Sequence, residues 1–145
     1  MPIRCEIVSQ DRMVFEGDAD MVILPGEQGV MGILPHHAPL LGTLQYGVIV
    51  VRRSGEEDYF TVSGGVAEVL PDRVTILADA AENVEEIDTA RAEAAKERAE
   101  ELLRNREIVE DAERYLAIQA ALRRSNLRLD ASRRYRRRQQ PRRTL

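Results

Sequence analysis

The chain lacks the features that mark a secreted or membrane-spanning protein. Cys5 is the single cysteine among the 145 residues, so no intrachain disulfide can form. No apolar run approaches the roughly 20 residues that a helix needs to cross a bilayer, and the N-terminal MPIRCEIVSQ contains no long hydrophobic signal segment. These absences predict a soluble protein of a reducing, cytoplasmic compartment.

Histidine is also scarce, because His36 and His37 are the only two in the chain. Adjacent side chains of an extended segment point to opposite faces, and no other histidine could complete a metal site. The nearest serine is Ser54 and the nearest acid is Glu27, so a catalytic histidine would have no partners here. The sequence therefore predicts no metal requirement and no catalytic residue.

Acidic residues are almost absent from the C-terminal end. Residues 123–145 carry ten arginines and one aspartate, whereas residues 1–122 carry 11 Lys or Arg and 24 Asp or Glu. This asymmetry indicates either an acidic partner or a fold-back contact. The arginine-rich tail, residues 133–145, leaves a nucleic-acid-binding adaptor as an alternative function, but the formal net charge of −4 argues against nucleic acid as a partner.

Residues 1–84 have the pattern of short strands. Apolar residues often alternate with period two, as in Ile3, Cys5 and Ile7, and several apolar-rich runs follow. Turn-forming sequences rich in Gly, Pro, Asp and Ser separate these runs at intervals of roughly ten residues. The pattern predicts an antiparallel β-sandwich.

Residues 85–132 change to a helical composition. Glycine and proline are absent, and Ala, Glu, Arg and Leu dominate. Ala92, Ala95 and Ala99 recur at helical spacing, a second apolar stripe begins at Tyr115, and the polar RNREIVED lies between the two stripes. The segment therefore predicts an antiparallel hairpin of two helices joined by a short turn, and the predicted fold class of the whole chain is α+β.

The composition of the predicted hairpin bears on its stability. A stripe made mostly of alanine buries little area, at about 25 cal/mol per Å², so two such helices cohere weakly. The hairpin is therefore predicted to be mobile. A static helical lid on the sandwich is the alternative interpretation.

The segment PGEQGVMGILPHHAPLLG, residues 25–42, concentrates proline and glycine. Proline fixes φ and removes amide donors, while glycine permits tight bends. The segment is predicted to form a rigid, multiply bent loop with an apolar exposed rim, which is typical of a docking surface.

This loop and two later stretches resemble the epsilon subunit of the F-type ATP synthase. The family signature PG..G..GILP.HAPL is matched here, and SGGVAEV at residues 63–69 and ADAAE at residues 78–82 follow in the same order. The resemblance implies a non-catalytic, peripheral subunit of the central stalk on the cytoplasmic face of the cell membrane. Residues 1–84 would dock on the gamma subunit and the membrane c-ring, with Glu27 to His37 contacting the ring.

The resemblance also implies a regulatory role for the hairpin. In this family the two helices either fold down against the sandwich or extend along gamma, where they meet the catalytic beta and alpha subunits and inhibit ATP hydrolysis. Some bacterial members bind ATP in the folded-down form through a motif that resembles Ile-Asp-x-x-Arg-Ala. The stretch IDTARA, residues 87–92, matches that motif, so ATP is predicted as a regulatory ligand.

The ATP-binding residues that the resemblance implies are Glu82, Ile87, Asp88, Arg91, Ala92, Arg98, Arg124 and Arg128. Arg91 and Arg98 lie seven residues apart on one helix, and Arg124 and Arg128 lie four apart on the other. Four guanidinium groups could therefore converge on a triphosphate as the hairpin closes.

A second interpretation treats these arginines as solvated surface charges. Arg91 would then pair with Asp88, and Arg98 with Glu101, each at a distance of three residues along the helix. No Gly-rich phosphate-binding loop is present in the sequence. The charge pattern alone does not decide between an ATP site and a charged helix face.

Overall fold

The computed structural model describes residues 1–136, and the predicted α+β class is confirmed. The strands are β1 (Ile3–Val8), β2 (Met13–Ala19), β3 (Met21–Gly26), β4 (Gly29–Ile33), β5 (Leu40–Arg53), β6 (Glu56–Val69), β7 (Arg73–Ala78) and β8 (Ala81–Asn83). A 3-10 turn (Val84–Glu86) leads to the helices α1 (Thr89–Leu102), α2 (Arg106–Glu110) and α3 (Ala112–Tyr135).

The strands form a sandwich from one hydrogen-bonded sheet in the order β2-β1-β7-β6-β5-β3-β4, with β8 also paired to β6. Every neighbouring pair is antiparallel except β1 and β7, which run parallel. The sequence predicted antiparallel pairing throughout, and this one pair differs. A parallel pair needs a long connection between its strands, and the five strands that lie between β1 and β7 in the chain supply it.

The strand β6 changes its pairing partner at Gly64 and Gly65, in the middle of its length. Residues 60–62 pair with β8, whereas residues 65–69 pair with β7. Both glycines have positive φ, 88° and 135°, and a Cβ at Gly65 would lie 2.3 Å from the carbonyl oxygen of Leu77. Only glycine fits at this close approach, which allows one long strand to serve two parts of the sandwich.

The main hydrophobic core lies entirely inside the sandwich. Its buried members run from Ile3 to Ala78 and include Phe60, the largest fully buried side chain. Cys5 is among them, and β1 alternates buried and half-buried residues along its whole length, as its period-two pattern predicts. The helices contribute no residue to this core.

Asparagine and aspartate side chains start the helices. The Asp88 carboxylate accepts a hydrogen bond from the backbone N–H of Arg91 (3.1 Å) at the start of α1, and Asp111 caps α3 in the same way. The segment RNREIVED is not a simple turn, because it contains α2, which Asn105 caps and Ile108 anchors by burial. None of the helices in residues 1–136 is long and apolar enough to cross a bilayer.

The helix α3 continues through Tyr135, three residues into the segment that the sequence assigned to an arginine-rich tail. Capping explains this extension in part, because the backbone N–H of Arg136 bonds to the carbonyl of Ser132 (3.2 Å). The rest of that predicted tail, residues 137–145, lies outside the described residues.

The hairpin packs through small side chains. Ala92 and Ala99 of the predicted alanine stripe are buried, α1 packs on α3, and the buried residues of α3 are also small, namely Ser125, Ala131 and Ser132. The predicted apolar stripe of α3 beginning at Tyr115 is only half-buried. Close approach of the two helices therefore depends on small residues rather than on large apolar ones.

A second, smaller cluster joins the hairpin to the sandwich. Val84, Ile87 and Ala131 are buried together, and Val48, Tyr59 and Tyr135 pack against them. This cluster is separate from the main core. Within residues 1–136, the two parts of the chain thus share a small apolar contact together with polar contacts such as the ion pair of Arg128 with Glu82.

Candidate functional site

A cleft of about 360 Å³ opens between the sandwich and the helical hairpin. The sandwich supplies one wall, and the helices α1 and α3 supply the other. The lining residues are Arg12, Thr61, Ser63, Ala80, Ala81, Glu82, Ala95, Ala121, Arg124, Ser125 and Arg128.

Small side chains on both walls leave free space in the cleft. Alanine lines it on both walls, and Thr61 and Ser63 of β6 add hydroxyl groups. The hydroxyl of Ser125 is turned back to its own helix, where it donates to the carbonyl of Ala121 (2.9 Å). The open space and the polar groups around it are what a small polar ligand requires.

Glu82 and Arg128 form an ion pair across the cleft. Arg128 Nε donates to Glu82 Oε1, and Arg128 Nη2 donates to Oε2 at 3.3 Å. Both side chains are less than a third exposed, at 23% and 30%. The two-point contact fixes the plane of the guanidinium group and joins β8 directly to α3.

The other two arginines of the cleft are less constrained. Arg124 is exposed and forms no salt bridge to any residue in 1–136. Arg12 comes from the turn between β1 and β2, and its Nη2 lies 3.6 Å from Oε2 of Glu86. Three guanidinium groups against one lining carboxylate make the cleft electropositive, which favours an anionic ligand.

The structure brings three of the predicted ATP-binding residues together, namely Glu82, Arg124 and Arg128. Ile87 is buried in the small cluster between sandwich and hairpin, and Ala92 is buried between α1 and α3. Their side chains therefore pack the walls and do not line the cleft. The Asp88 carboxylate is occupied as the N-terminal cap of α1.

Arg91 and Arg98 are exposed on α1 and are absent from the cleft lining. They lie four residues before and three residues after Ala95, which does line it, so helical spacing puts all three on one face. The alternative pairing with Asp88 and Glu101 is not formed among the residues that the structure describes.

Aromatic and arginine contacts at the end of α3 hold the hairpin against the sandwich. The rings of Tyr59 and Tyr135 stack with centroids 4.6 Å apart and an interplanar angle of 18°. Arg136 Nη2 donates to the carbonyls of Ile87 (2.5 Å) and Glu85 (3.1 Å). We name this group of contacts, centred on Tyr135 and Arg136, the C-terminal latch.

A further contact lies near the middle of α3, where the guanidinium carbon of Arg123 sits 4.3 Å from the ring centroid of Tyr46 on β5.

Sequence reasoning missed this pair, the latch, and the cleft residue Arg12. None of them had a signal in the sequence, because each joins residues that are distant along the chain. Ser125 had one, since it lies three residues before Arg128 and therefore on the same helix face.

The segment predicted as a bent loop, residues 25–42, is in part strand, because Gly29–Ile33 form β4, which pairs with β3, and β5 begins at Leu40. It still presents exposed apolar side chains. Val30, Leu34 and Leu41 are 76%, 56% and 71% exposed. The backbone of His36 is in the left-handed region (φ 68°), and its N–H donates to the carbonyl of Pro71 (2.8 Å). The segment is therefore bent at this point rather than extended. We name Val30, Leu34 and Leu41 the apolar rim.

Two sequence profiles match this chain. The profile described as ATP synthase, Delta/Epsilon chain, beta-sandwich domain matches residues 2–84. The profile described as ATP synthase, Delta/Epsilon chain, long alpha-helix domain matches residues 85–133. Together they span both the strands and the helical hairpin.

Curated relatives are similar over both parts. The ATP synthase epsilon chain of Herpetosiphon aurantiacus is 46% identical over 139 residues, which is 96% of this chain and 100% of the relative. The ATP synthase epsilon chain of Roseiflexus sp. is 54% identical over 95 residues, 66% of this chain and 68% of the relative.

Solved structures share the fold. A chain in the Euglena gracilis mitochondrial ATP synthase OSCP/F1/c-ring assembly aligns with a TM-score of 0.73 and 25% identity, covering 90% of this chain and 81% of that one. A chain in the Tetrahymena thermophila mitochondrial ATP synthase central stalk/c-ring aligns with a TM-score of 0.61 and 12% identity, covering 91% and 97%. The second likeness concerns the fold alone.

Proposed function

The chain belongs to the delta/epsilon chain family of ATP synthase, and we propose that it is the epsilon subunit of the central stalk. In this role it is a non-catalytic subunit that couples rotation between the membrane ring and the catalytic head. The proposal includes a regulatory function, in which the helical hairpin restrains ATP hydrolysis by moving between a folded-down and an extended position.

One observation carries the regulatory proposal: the sandwich core is complete without the hairpin. All its buried members precede residue 79, and the hairpin is attached through the small second cluster and a few polar contacts. Release of the helices would therefore leave the core packing intact. An element with this kind of attachment can occupy two positions at a modest difference in free energy.

The apolar rim supports the proposed contact with the membrane ring. Large exposed apolar side chains that share one surface are typical of interaction sites, and Val30 and Leu41 of the rim line one surface groove together. The rim lies within or beside the segment from Glu27 to His37 that the family resemblance assigned to the ring. We therefore propose that this end of the sandwich rests on the ring at the cytoplasmic face of the cell membrane, while other surfaces of the subunit bind gamma.

The cleft supports ATP as the regulatory ligand. Its volume of about 360 Å³ is within the usual range for small-molecule sites, roughly 300 to 1,000 Å³. Guanidinium groups bind phosphate oxygens through charge-assisted hydrogen bonds, and Arg124 and Arg128 line the cleft from α3. Arg91 and Arg98 share a helix face with the lining residue Ala95, and in this proposal they add phosphate contacts from α1. Glu82, paired with Arg128, sets the orientation of that arginine.

ATP binding in this cleft would favour the folded-down hairpin. The cleft exists only when both walls are present, so a ligand bound there stabilises the closed form by mass action. The extended hairpin would instead present its arginines to the catalytic beta and alpha subunits. ATP and inhibition therefore compete for one element, and the shift is limited by the difference in ATP affinity between the two positions.

Steady-state ATP hydrolysis by the assembled synthase tests the regulatory proposal. The full chain is compared with a chain that ends after Asn105, which lacks α2 and α3 but keeps the complete sandwich core. We expect higher hydrolysis with the shortened chain, because the inhibitory element is gone. Equal rates in two complexes with the same subunit composition would show that α2 and α3 do not inhibit in this protein.

A further inference from the structure

Arg12 lines the cleft but belongs to none of the residue sets described for ATP binding in the sequence analysis. It lies in the turn between β1 and β2, on the sandwich wall that faces Arg124 and Arg128. A ligand between the walls would therefore have arginine on both sides.

Hydrogen bonds fix the backbone at Arg12, whereas its side chain makes only a weak, exposed ion pair within residues 1–136. The carbonyl of Arg12 accepts hydrogen bonds from the N–H of Ser9 (2.9 Å) and from the Ser9 hydroxyl (3.3 Å). Within residues 1–136, its guanidinium makes one salt bridge, to Glu86 at 3.6 Å, and both side chains are more than half exposed. A long, exposed ion pair of this kind is easily exchanged for another partner.

The other arginines of the cleft do not supply enough free guanidinium groups for a polyphosphate. Two nitrogens of Arg128 are already committed to Glu82, so the uncommitted guanidinium on the helical wall is that of Arg124. A polyphosphate carries several negative charges and many acceptor oxygens, which one free guanidinium satisfies only in part. A second free guanidinium on the opposite wall meets this demand.

We propose that Arg12 is a phosphate-binding residue of the cleft, which exchanges Glu86 for the phosphates of a bound nucleotide and so ties the sandwich to the closed hairpin. This inference rests on the proposed ATP site. It adds a residue of the sandwich to a set that otherwise lies on β8 and the hairpin. Phosphate held from both walls would couple occupancy of the cleft directly to hairpin closure.

The proposal requires different effects from the two members of the ion pair. Arg12→Gln removes a phosphate contact and weakens binding. Glu86→Gln removes the competitor for Arg12 and one negative charge near the cleft, so it leaves binding unchanged or tightens it. If the pair instead served only to hold the turn in place, both substitutions would weaken binding alike.

Isothermal titration calorimetry of the full-length subunit with ATP tests this. We expect Arg12→Gln to raise the Kd about tenfold, as the loss of one charge-assisted contact does, and Arg12→Lys to restore part of the affinity. The salt dependence of Kd should become shallower in Arg12→Gln, because one fewer charge faces the phosphates. Arg73→Gln, at an exposed arginine of β7 outside the cleft lining, is the matched control and should bind as the unmodified chain does.

Three outcomes would overturn the proposal. Equal weakening by Arg12→Gln and Glu86→Gln would make the pair a purely structural contact. Unchanged affinity in Arg12→Gln, with a loss in Arg124→Gln, would refute the role of Arg12 and leave the proposed ATP site standing. Absence of ATP binding to the unmodified chain would refute both the site and the role of Arg12.

Discussion

The arginines of the cleft differ in whether they already have an ion-pair partner. Arg128 is held in a two-point contact with Glu82, whereas Arg124, one helical turn earlier, is exposed and has no salt bridge within residues 1–136. A guanidinium that is already paired gives up existing bonds when it binds phosphate, and an unpaired one does not. Arg124 is therefore expected to contribute more to nucleotide affinity than its neighbour.

Arg124→Gln is predicted to raise the Kd for ATP about tenfold, because one charge-assisted contact is lost while the side-chain volume is nearly retained. Calorimetry on the isolated full-length subunit measures this. Arg114→Gln is the control, since Arg114 is an exposed arginine of the same helix outside the cleft lining. A similar loss in both variants would mean that net charge, rather than a contact in the cleft, governs binding.

Cys5 provides a prediction about pH. Burial, with a smaller effect of the nearby Glu6 charge, raises the pKa of its thiol from 9.0 to about 12. The unfolded chain therefore loses this proton first as pH rises, so the contribution of Cys5 to stability is complete below pH 9 and is lost between 9 and about 12.

Denaturant unfolding at pH 8 and pH 10 measures this effect. Between these values the free energy of unfolding should fall by about 1 kcal/mol more in the unmodified chain than in Cys5→Ala, which has no thiol to ionise. The comparison cancels the titration of all other groups. An identical pH dependence in both proteins would contradict a buried, protonated thiol.

At the scale of elements, the end of α3 is anchored both to the sandwich and to the 3-10 turn. The C-terminal latch combines the stacked rings of Tyr59 and Tyr135 with hydrogen bonds from Arg136 to the carbonyls around the 3-10 turn. These contacts link the last residues of the helix to the segment where the hairpin begins. The latch therefore closes the hairpin at its base.

Removal of the latch should loosen the hairpin and leave the sandwich unchanged. In Arg136→Ala, amide hydrogen exchange in α1 and α3 is predicted to accelerate by roughly tenfold, whereas β5 and β6 keep their protection. Arg133→Ala, at an exposed arginine of the same last turn, serves as the control. Unaltered exchange in α3 would show that the latch contributes little to docking, and Tyr135→Ala provides an independent second check.

At the scale of the whole molecule, the unequal charge of the chain is partly satisfied internally. The basic segment that begins at residue 123 folds back so that Arg128 meets Glu82 and Arg136 meets backbone carbonyls. The fold-back contact that the charge pattern allowed is thus present in the described part of the chain. The apolar rim lies on the sandwich, outside the residues of the cleft.

A charge on the apolar rim should weaken attachment to the membrane ring. Leu34→Asp puts a carboxylate where an apolar contact is proposed, and leaving it unpaired in the interface is costly. We expect a lower fraction of the catalytic head retained on membranes and lower proton-driven ATP synthesis. Leu116→Asp, at a leucine of α3 that is 63% exposed, is the control for surface charge. Normal retention and synthesis in Leu34→Asp would exclude this residue from the interface.

The sequence by itself determined the class of each segment, because those properties depend on near neighbours. Alternation along β1 and the alanine spacing of α1 act over two to four residues, and the structure confirms both. The segment RNREIVED was misread as a turn because its short helix α2 has only a cap and the one buried residue Ile108 to mark it.

The tertiary structure alone decided which charges share the cleft and what holds it closed. Arg12 reaches the cleft because the turn between β1 and β2 lies beside β6 and the base of the hairpin, a proximity that no local pattern encodes. The same holds for Tyr59 with Tyr135, and for the parallel pairing of β1 with β7. Such contacts depend on strand register and on the packing of distant segments, which only the folded chain specifies.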